Sequence, residues 1–269
     1  MVYFSPTGNT RHVTHAVADR CAQLGSNITL WDITSPAQRR ENVDPAAFDA
    51  FVFGFPVHSL RAPRLVRQWL RTWQGDKKRC AMFFTYGGFS VHPAHYSTGR
   101  ILEQQGFSVV ASAQFPSAHT YNLGGWEALA HRPDSEDLQA ARRYADAVYP
   151  RLLGTDTALP SAFEQGDYTT KQLDHFEDFR YRIVTQLPTR SGGECCLCRQ
   201  CEKVCPAGVF AAEPGEVIGS GCLACLACVA VCPDQVLHIN DTRATWQKKL
   251  RMGQTSASAL NRQKAVFYL

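Results

Sequence analysis

The amino-acid sequence predicts an α/β protein, a doubly wound five-stranded parallel sheet followed by a small α+β unit. Two observations carry this expectation. Apolar runs alternate with helical patterns over about the first 150 residues, as the strands and crossover helices of a parallel sheet do. Nine of the eleven cysteines then fall between Cys195 and Cys232, so the chemistry of the chain changes abruptly near residue 190.

Five runs read as strands: "MVYF" (1–4), "NITLWDI" (27–33), "FDAFVFGFP" (48–56), "RCAMFFTYG" (79–87) and "FSVVASAQF" (107–115). They are rich in Val, Phe and Ile and continuous rather than alternating, which suits strands covered on both faces. Helical patterns separate them. "NTRHVTHAVADRCAQLG" sets Val13, Ala16, Val17 and Leu24 at helical spacing and stops at Gly25. "APRLVRQWLRTW" (62–73) and "PAHYSTGRILEQQG" (93–106) follow, and "SEDLQAARRYADAVYPRLL" (135–153) starts from a cap at Asp134 or Ser135. The expected division is a first domain over 1–150, a helical connector over 151–190 holding "KQLDHFEDFRYRIVTQL", a cysteine-rich domain over 191–240, and a tail over 241–269. The tail is basic and contains Ser and Ala, so it reads as a solvated cover.

Composition excludes several classes. A hydrophobic content of 45% with 19% charged residues describes a folded globular chain rather than a disordered one. The net charge of +4 is spread out, with no basic stripe beside a reading motif, so no nucleic-acid partner is expected. No stretch approaches the roughly 18 apolar residues of a membrane span, and "MVYF" opens a strand rather than a signal segment. The expectation is a cytoplasmic protein, in whose reducing surroundings clustered thiols bind metal more often than they pair as disulfides.

Between the first strand and first helix stands "YFSPTGNTRH". This loop puts the hydroxyls of Ser5, Thr7 and Thr10 and the backbone N–H groups of Gly8 and Asn9 around a helix amino terminus, which suits a phosphate. It lacks the lysine of a P-loop and the three glycines of the dinucleotide fingerprint. An ordinary capping turn is the plainer alternative. Over about residues 1–150 the chain resembles the flavodoxin family, whose FMN phosphate lies in this loop. That resemblance implies a sheet of order 2-1-3-4-5 with FMN at the carboxyl ends of the strands. It also implies that Pro56, Val57, His58 and Ser59 after the third strand, and Thr85, Tyr86, Gly87, Gly88 and Phe89 after the fourth, flank the flavin ring. His58 stands where members of the family often carry an aromatic residue. His58 and His92 are candidate proton donors, and a surface histidine without function is the competing reading for both, as for His95 and His119.

Cysteine spacing is the more specific signal. Cys195, Cys198, Cys201 and Cys205, followed by Pro206, obey C-x2-C-x2-C-x3-C-P, and Cys222, Cys225, Cys228 and Cys232, followed by Pro233, repeat it. In such runs three cysteines hold one [4Fe–4S] cluster and the fourth ligates the other cluster. Cys195, Cys198, Cys201 and Cys232 are therefore expected to hold cluster 1, and Cys222, Cys225, Cys228 and Cys205 cluster 2. Zinc is the structural alternative, but its sites pair separated C-x2-C units. Cys196 leaves one residue before Cys198, so it reads as a buried filler. Over residues 191–240 the chain resembles bacterial two-cluster ferredoxins.

Taken whole, the chain resembles flavodoxin/ferredoxin fusion proteins. The resemblance implies single electrons passing between two [4Fe–4S] clusters and FMN, in a direction that potentials rather than spacing decide. Two readings follow. One is an FMN-dependent reductase of a small organic acceptor, favoured by the long rim that 54–63, 85–93 and "FPSAHTYNLGGWEALAHRP" (115–133) would build. The other is an electron carrier that docks with a redox partner protein and has no small-molecule substrate. A first domain that has lost FMN is disfavoured by the intact 5–10 loop.

Overall fold

A computed structural model describes every residue of the chain except positions 42, 165 and 167 and the side chains at 179 and 181. Positions 165 and 167 belong to the expected connector, and that part of the expectation lies outside the described residues. Five strands, β1 (Val2–Tyr3), β2 (Trp31–Asp32), β3 (Ala50–Pro56), β4 (Arg79–Tyr86) and β5 (Ser108–Pro116), lie in the order 2-1-3-4-5. All their pairings are parallel, with Val2 opposite Phe53 and Phe53 opposite Met82. Four helices cover the sheet: α1 (Asn9–Gln23), α2 (Arg64–Leu70), α3 (His92–Gln104) and α4 (Ser135–Leu153).

Both faces of the central strands are buried, which is why their apolar runs do not alternate. One face packs Phe4, Phe53, Phe55 and Met82 against Leu70 and Leu102 from α2 and α3. The other packs Phe83 and Phe115 against Val13 and Val17 of α1 and Tyr144 and Val148 of α4. Helix α4 begins where its cap dictates. The Asp134 carboxylate accepts from the N–H groups of Glu136 and Asp137, and Asp137 accepts from Asp134 N–H in return. Of the apolar run 27–33 only Trp31 and Asp32 pair, because the neighbouring β1 offers two residues of ladder.

A connector helix, α5 (Thr170–Ile183), leads to the second unit. There β6 (Thr189–Arg190), β7 (Phe210–Ala211), β8 (Glu216–Val217) and β9 (Leu237–His238) form an antiparallel sheet of order 7-8-6-9. Short helices α6 (Gln200–Lys203) and α7 (Ala227–Val231) carry the cysteine runs. The runs repeat in backbone as well as in sequence: Arg199 and Leu226, which precede the two helices, share φ 57° and ψ 19°.

Two expectations are corrected by the tail. Residues 241–269 form α8 (Arg243–Met252), α9 (Ala257–Asn261) and β10 (Val266–Tyr268), not a solvated cover. Trp246 and Leu260 are buried against Tyr121 and Trp126. Strand β10 pairs antiparallel with β5, Phe267 opposite Ala113, so the sheet has six strands rather than five among the described residues. The physical reason is the open edge of β5, whose unpaired backbone groups are satisfied by β10. No helix among the described residues is long and apolar enough to cross a membrane.

Candidate functional site

Loops at the carboxyl ends of β1, β3, β4 and β5 border a cavity that opens to solvent. Its lining includes Ser5, Thr7, Asn9 and Thr10 from the first loop, Pro56, Val57 and His58 from the second, and Thr85, Tyr86 and Gly87 from the third. The first loop turns at Gly8, whose φ of 92° is left-handed and suits glycine. Gly8, the cap residue of α1, has no side chain to bond the first turn. Ser5 Oγ instead accepts from Arg11 N–H at 3.0 Å, and Asn9 Nδ2 donates to Ala118 O at 3.0 Å. Gly87 permits a close approach of loops, since a Cβ there would meet His119 at 2.4 Å.

The remaining residues named from the sequence stand elsewhere. Gly8 shapes the loop without lining the cavity, and Ser59 lies in the tight turn closed by the bridge between His58 and Arg61. Gly88 accepts from Gln263 Nε2, and Phe89 packs edge-on against Trp126 and Trp246, drawn away by apolar burial. His92 is exposed at the start of α3, its ring 6.5 Å from Tyr268. Besides Pro6 and Ala118, four wall residues were not named for this site: Ser117, His119, Thr120 and Arg180. The first three follow β5, in the segment read as a rim. Arg180 comes from α5, and nothing in its local sequence marks it.

Electrostatically the cavity is sparse. His58 is buried, and burial first, then the fields of Arg180, His119 and Arg67, hold its pKa well below the ordinary value. Burial, with help from Arg180 and Lys249, pushes His119 down to about 3. Both rings are therefore neutral at pH 7, and His119 Nδ1 accepts from Tyr121 N–H at 3.1 Å. No carboxylate lines the cavity, which leaves Arg180 as the fixed charge on its described walls.

The cysteines surround two further cavities. Cys195, Cys198, Cys201 and Cys232 line one, and Cys205, Cys222, Cys225 and Cys228 line another. In the two runs equivalent N–H groups aim at equivalent sulfurs: Leu197 N to Cys195 Sγ and Ala224 N to Cys222 Sγ, both 3.4 Å. Among the described residues no three His, Cys, Asp or Glu side chains close around a point suited to one metal ion. The sulfurs stand around space instead. The second set is the inner one, with Cys225 and Cys228 buried, whereas Cys198 of the first set is exposed. Cys196 lines neither cavity. It is exposed, and its N–H donates to Asp234 Oδ2 at 2.8 Å, so the expected buried filler is a surface thiol held by a carboxylate.

The long rim also has a different role. Tyr121, Trp126, Ala128 and Leu129 pack with Ala224 and Leu226 of the second unit and with Trp246 and Leu260 of the tail. Segment 115–133 is thus used in joining the two units. From α5, Arg180 crosses the same boundary: one terminal nitrogen donates to Ala224 O at 2.8 Å, and its guanidinium lies 5.6 Å from the centre of the Tyr121 ring.

Among solved structures the chain is similar to a flavodoxin from the domain Archaea, at TM-score 0.42 and 14% identity over 56% of this chain and 96% of that one. It is similar to oxidised flavodoxin 1 from Bacillus cereus, at 0.42 and 16% over 56% and 97%. The two-electron reduced flavodoxin of Megasphaera elsdenii gives 0.39 and 19% over 54% and 96%. No protein-family model and no curated protein matches the sequence.

Proposed function

We propose that this chain is an electron-transfer flavo-iron–sulfur protein of flavodoxin/ferredoxin type, with FMN in the cavity at the strand ends and two [4Fe–4S] clusters in the cysteine-lined cavities. The observation that carries the reading is the sorting of eight cysteines into two groups of four, each exchanging its last member with the other run. That interlocking is what two-cluster sequences require and what a single zinc ion does not.

Three features support a fit to FMN. The amino terminus of α1, where Ser5 Oγ takes up the Arg11 N–H, offers further backbone N–H groups to a phosphate. Ser117 Oγ on the cavity wall is buried without a partner, a cost that a polar ligand would remove. The sheet order 2-1-3-4-5 sets the cavity beside the switch point between β1 and β3. When bound, FMN would exchange electrons singly with the clusters and in pairs with an acceptor. Ser5, Thr7, Asn9 and Thr10 would hold its phosphate, and Pro56 to His58 and Thr85 to Gly87 would flank its ring.

The path runs from surface to interior. The exposure of Cys198 supports a cluster 1 that would face a redox partner protein, and the burial of Cys225 supports a cluster 2 that would lie against the first unit. Clustered cysteines free of disulfides suit a reducing, cytoplasmic compartment. A carrier without its own substrate is favoured over a reductase by one observation. Tyr121, Trp126, Ala128 and Leu129, from the segment that suggested a substrate rim, pack against the second unit and tail, and only Ser117 to Thr120 of that segment line the cavity.

Protein purified without oxygen should release FMN on denaturation and contain about eight irons per chain, the sum of two four-iron clusters. Absence of FMN, or iron near half that value, would sink the reading. Photoreduced protein should be reoxidised by partner proteins and not, with saturation, by a panel of small acceptors.

A further inference from the structure

We propose that Arg180 makes the flavin cavity an electron sink, favouring reduced over oxidised FMN, so that electrons arriving at the outer cluster run inward and collect on the flavin. The inference rests on the FMN reading above and adds a direction to it.

Arg180 is the one charged residue on the described cavity wall. His58 and His119 are neutral there, and no Asp or Glu lines that cavity, although Asp174, Glu177 and Asp178 share the adjoining cleft with His58 and Arg180. Among the described residues no carboxylate pairs with it, and its Nε is buried without a partner. The nearby acid Glu177 is taken up by Arg61 and Arg67. The guanidinium is held in place by the Ala224 carbonyl and the Tyr121 ring, so its position does not depend on a ligand. Ala224 lies between Cys222 and Cys225, so the same cation also faces the turn that would hold the inner cluster.

The charge balance gives the direction. With the groups bound, two reduced clusters would give up one electron each, and oxidised FMN would take those two electrons with one proton from solvent, gaining one negative charge on its ring. A cation in a partly desolvated wall stabilises that charge more than it stabilises the neutral oxidised ring. A contact to the phosphate would act otherwise. It would strengthen both redox states alike and leave the potential where it was.

The test is a redox titration of the bound flavin, with dissociation constants for oxidised and reduced FMN, in the wild type and in Arg180→Gln and Arg180→Lys. Gln retains an N–H for the Ala224 carbonyl and loses the charge; Lys keeps the charge. Wild-type protein should bind reduced FMN more tightly than oxidised, so its two-electron potential should lie above that of free FMN. Arg180→Gln should weaken reduced FMN on the order of tenfold relative to oxidised, a fall of about 30 mV for a two-electron couple. Arg180→Lys should keep most of the wild-type value. A wild-type potential at or below that of free FMN overturns the proposal, whether or not the variants fold. So does an Arg180→Gln variant that loses both redox states equally. Wild-type protein that retains no FMN would remove the underlying reading instead, an outcome seen before any titration begins.

Discussion

The hydroxyls of Thr10 and Thr85, 75 positions apart in the chain, share a buried hydrogen bond of 2.7 Å. Thr10 opens α1 and Thr85 lies near the end of β4, so this bond fixes the expected phosphate loop against the expected ring-side loop. Thr10→Val should strand the Thr85 hydroxyl and cost about 1–2 kcal/mol. The double replacement Thr10→Val, Thr85→Val should cost clearly less than the sum of the singles, since both partners go together. Anaerobic urea titrations of the three variants measure this, and simple additivity would mean the two hydroxyls are not coupled.

Cysteine replacements test the interlocked assignment. Cys232→Ala and Cys198→Ala should each remove the outer cluster and give matching spectra, although Cys232 belongs to the second run. Cys205→Ala should instead match Cys225→Ala. Each loses about four of about eight irons. Cys196→Ala should keep both clusters, because Cys196 lines neither cavity. A Cys232→Ala spectrum that matched Cys225→Ala would show that each run serves its own cluster.

Spacing reveals some of this architecture and conceals the rest for physical reasons. Helix α4 is legible to within one residue at its start, where the sequence offers Asp134 or Ser135 as cap and local bonds of Asp134 and Asp137 decide for Asp134. The cysteine runs are legible because ligation imposes a rigid repeat. Strand β10 is not: three residues, 266–268, carry no periodicity, and the strand exists because β5 leaves an open edge. Phe89 looks like a stacking residue in its loop, and Trp126 and Trp246, far away in the chain, decide otherwise. Arg180 is hidden for the same reason, since its role comes from three segments meeting: α5, the Tyr121 loop and the Ala224 turn.

Stability should fall with acid in a way that three histidines control. His95 is buried, with Nδ1 2.6 Å from Ser112 Oγ and Nε2 without a partner, and burial lowers its pKa from 6.5 to about 3. His119 is lowered to about 3 as well, and His58 also lies well below its ordinary value. A histidine lowered on folding is held neutral in the native state, so its contribution is complete above pH 6.5 and is lost as pH falls from there toward 3. The unfolded chain binds the extra proton across that window, a slope of about 1.4 kcal/mol per pH unit for each such histidine. Urea midpoints should therefore decline between pH 7 and 5, and more gently in His95→Gln. An unchanged slope in that variant would mean His95 takes up its proton without unfolding.

Glu177 is the residue on which the placement of α5 turns. Its carboxylate accepts from Arg67 through both terminal nitrogens, at 2.8 and 2.9 Å, and from Arg61 at 2.8 Å. The two arginine side chains are only 9% and 6% exposed, whereas Asp174, the other partner of Arg61, is 62% exposed. Removing one side of a buried pair leaves an uncompensated charge, so Glu177→Ala should cost about 3 kcal/mol or more. Asp174→Ala removes an exposed partner and should cost less than about 1 kcal/mol. Glu177 lies three positions before Arg180 on the same helix, so Glu177→Ala should also weaken FMN retention while Asp174→Ala leaves it near wild type. Denaturant midpoints and flavin dissociation constants for the two variants decide the matter. Equal costs would mean that solvent reaches both pairs alike, and that α5 is held to the first unit by packing rather than by charge.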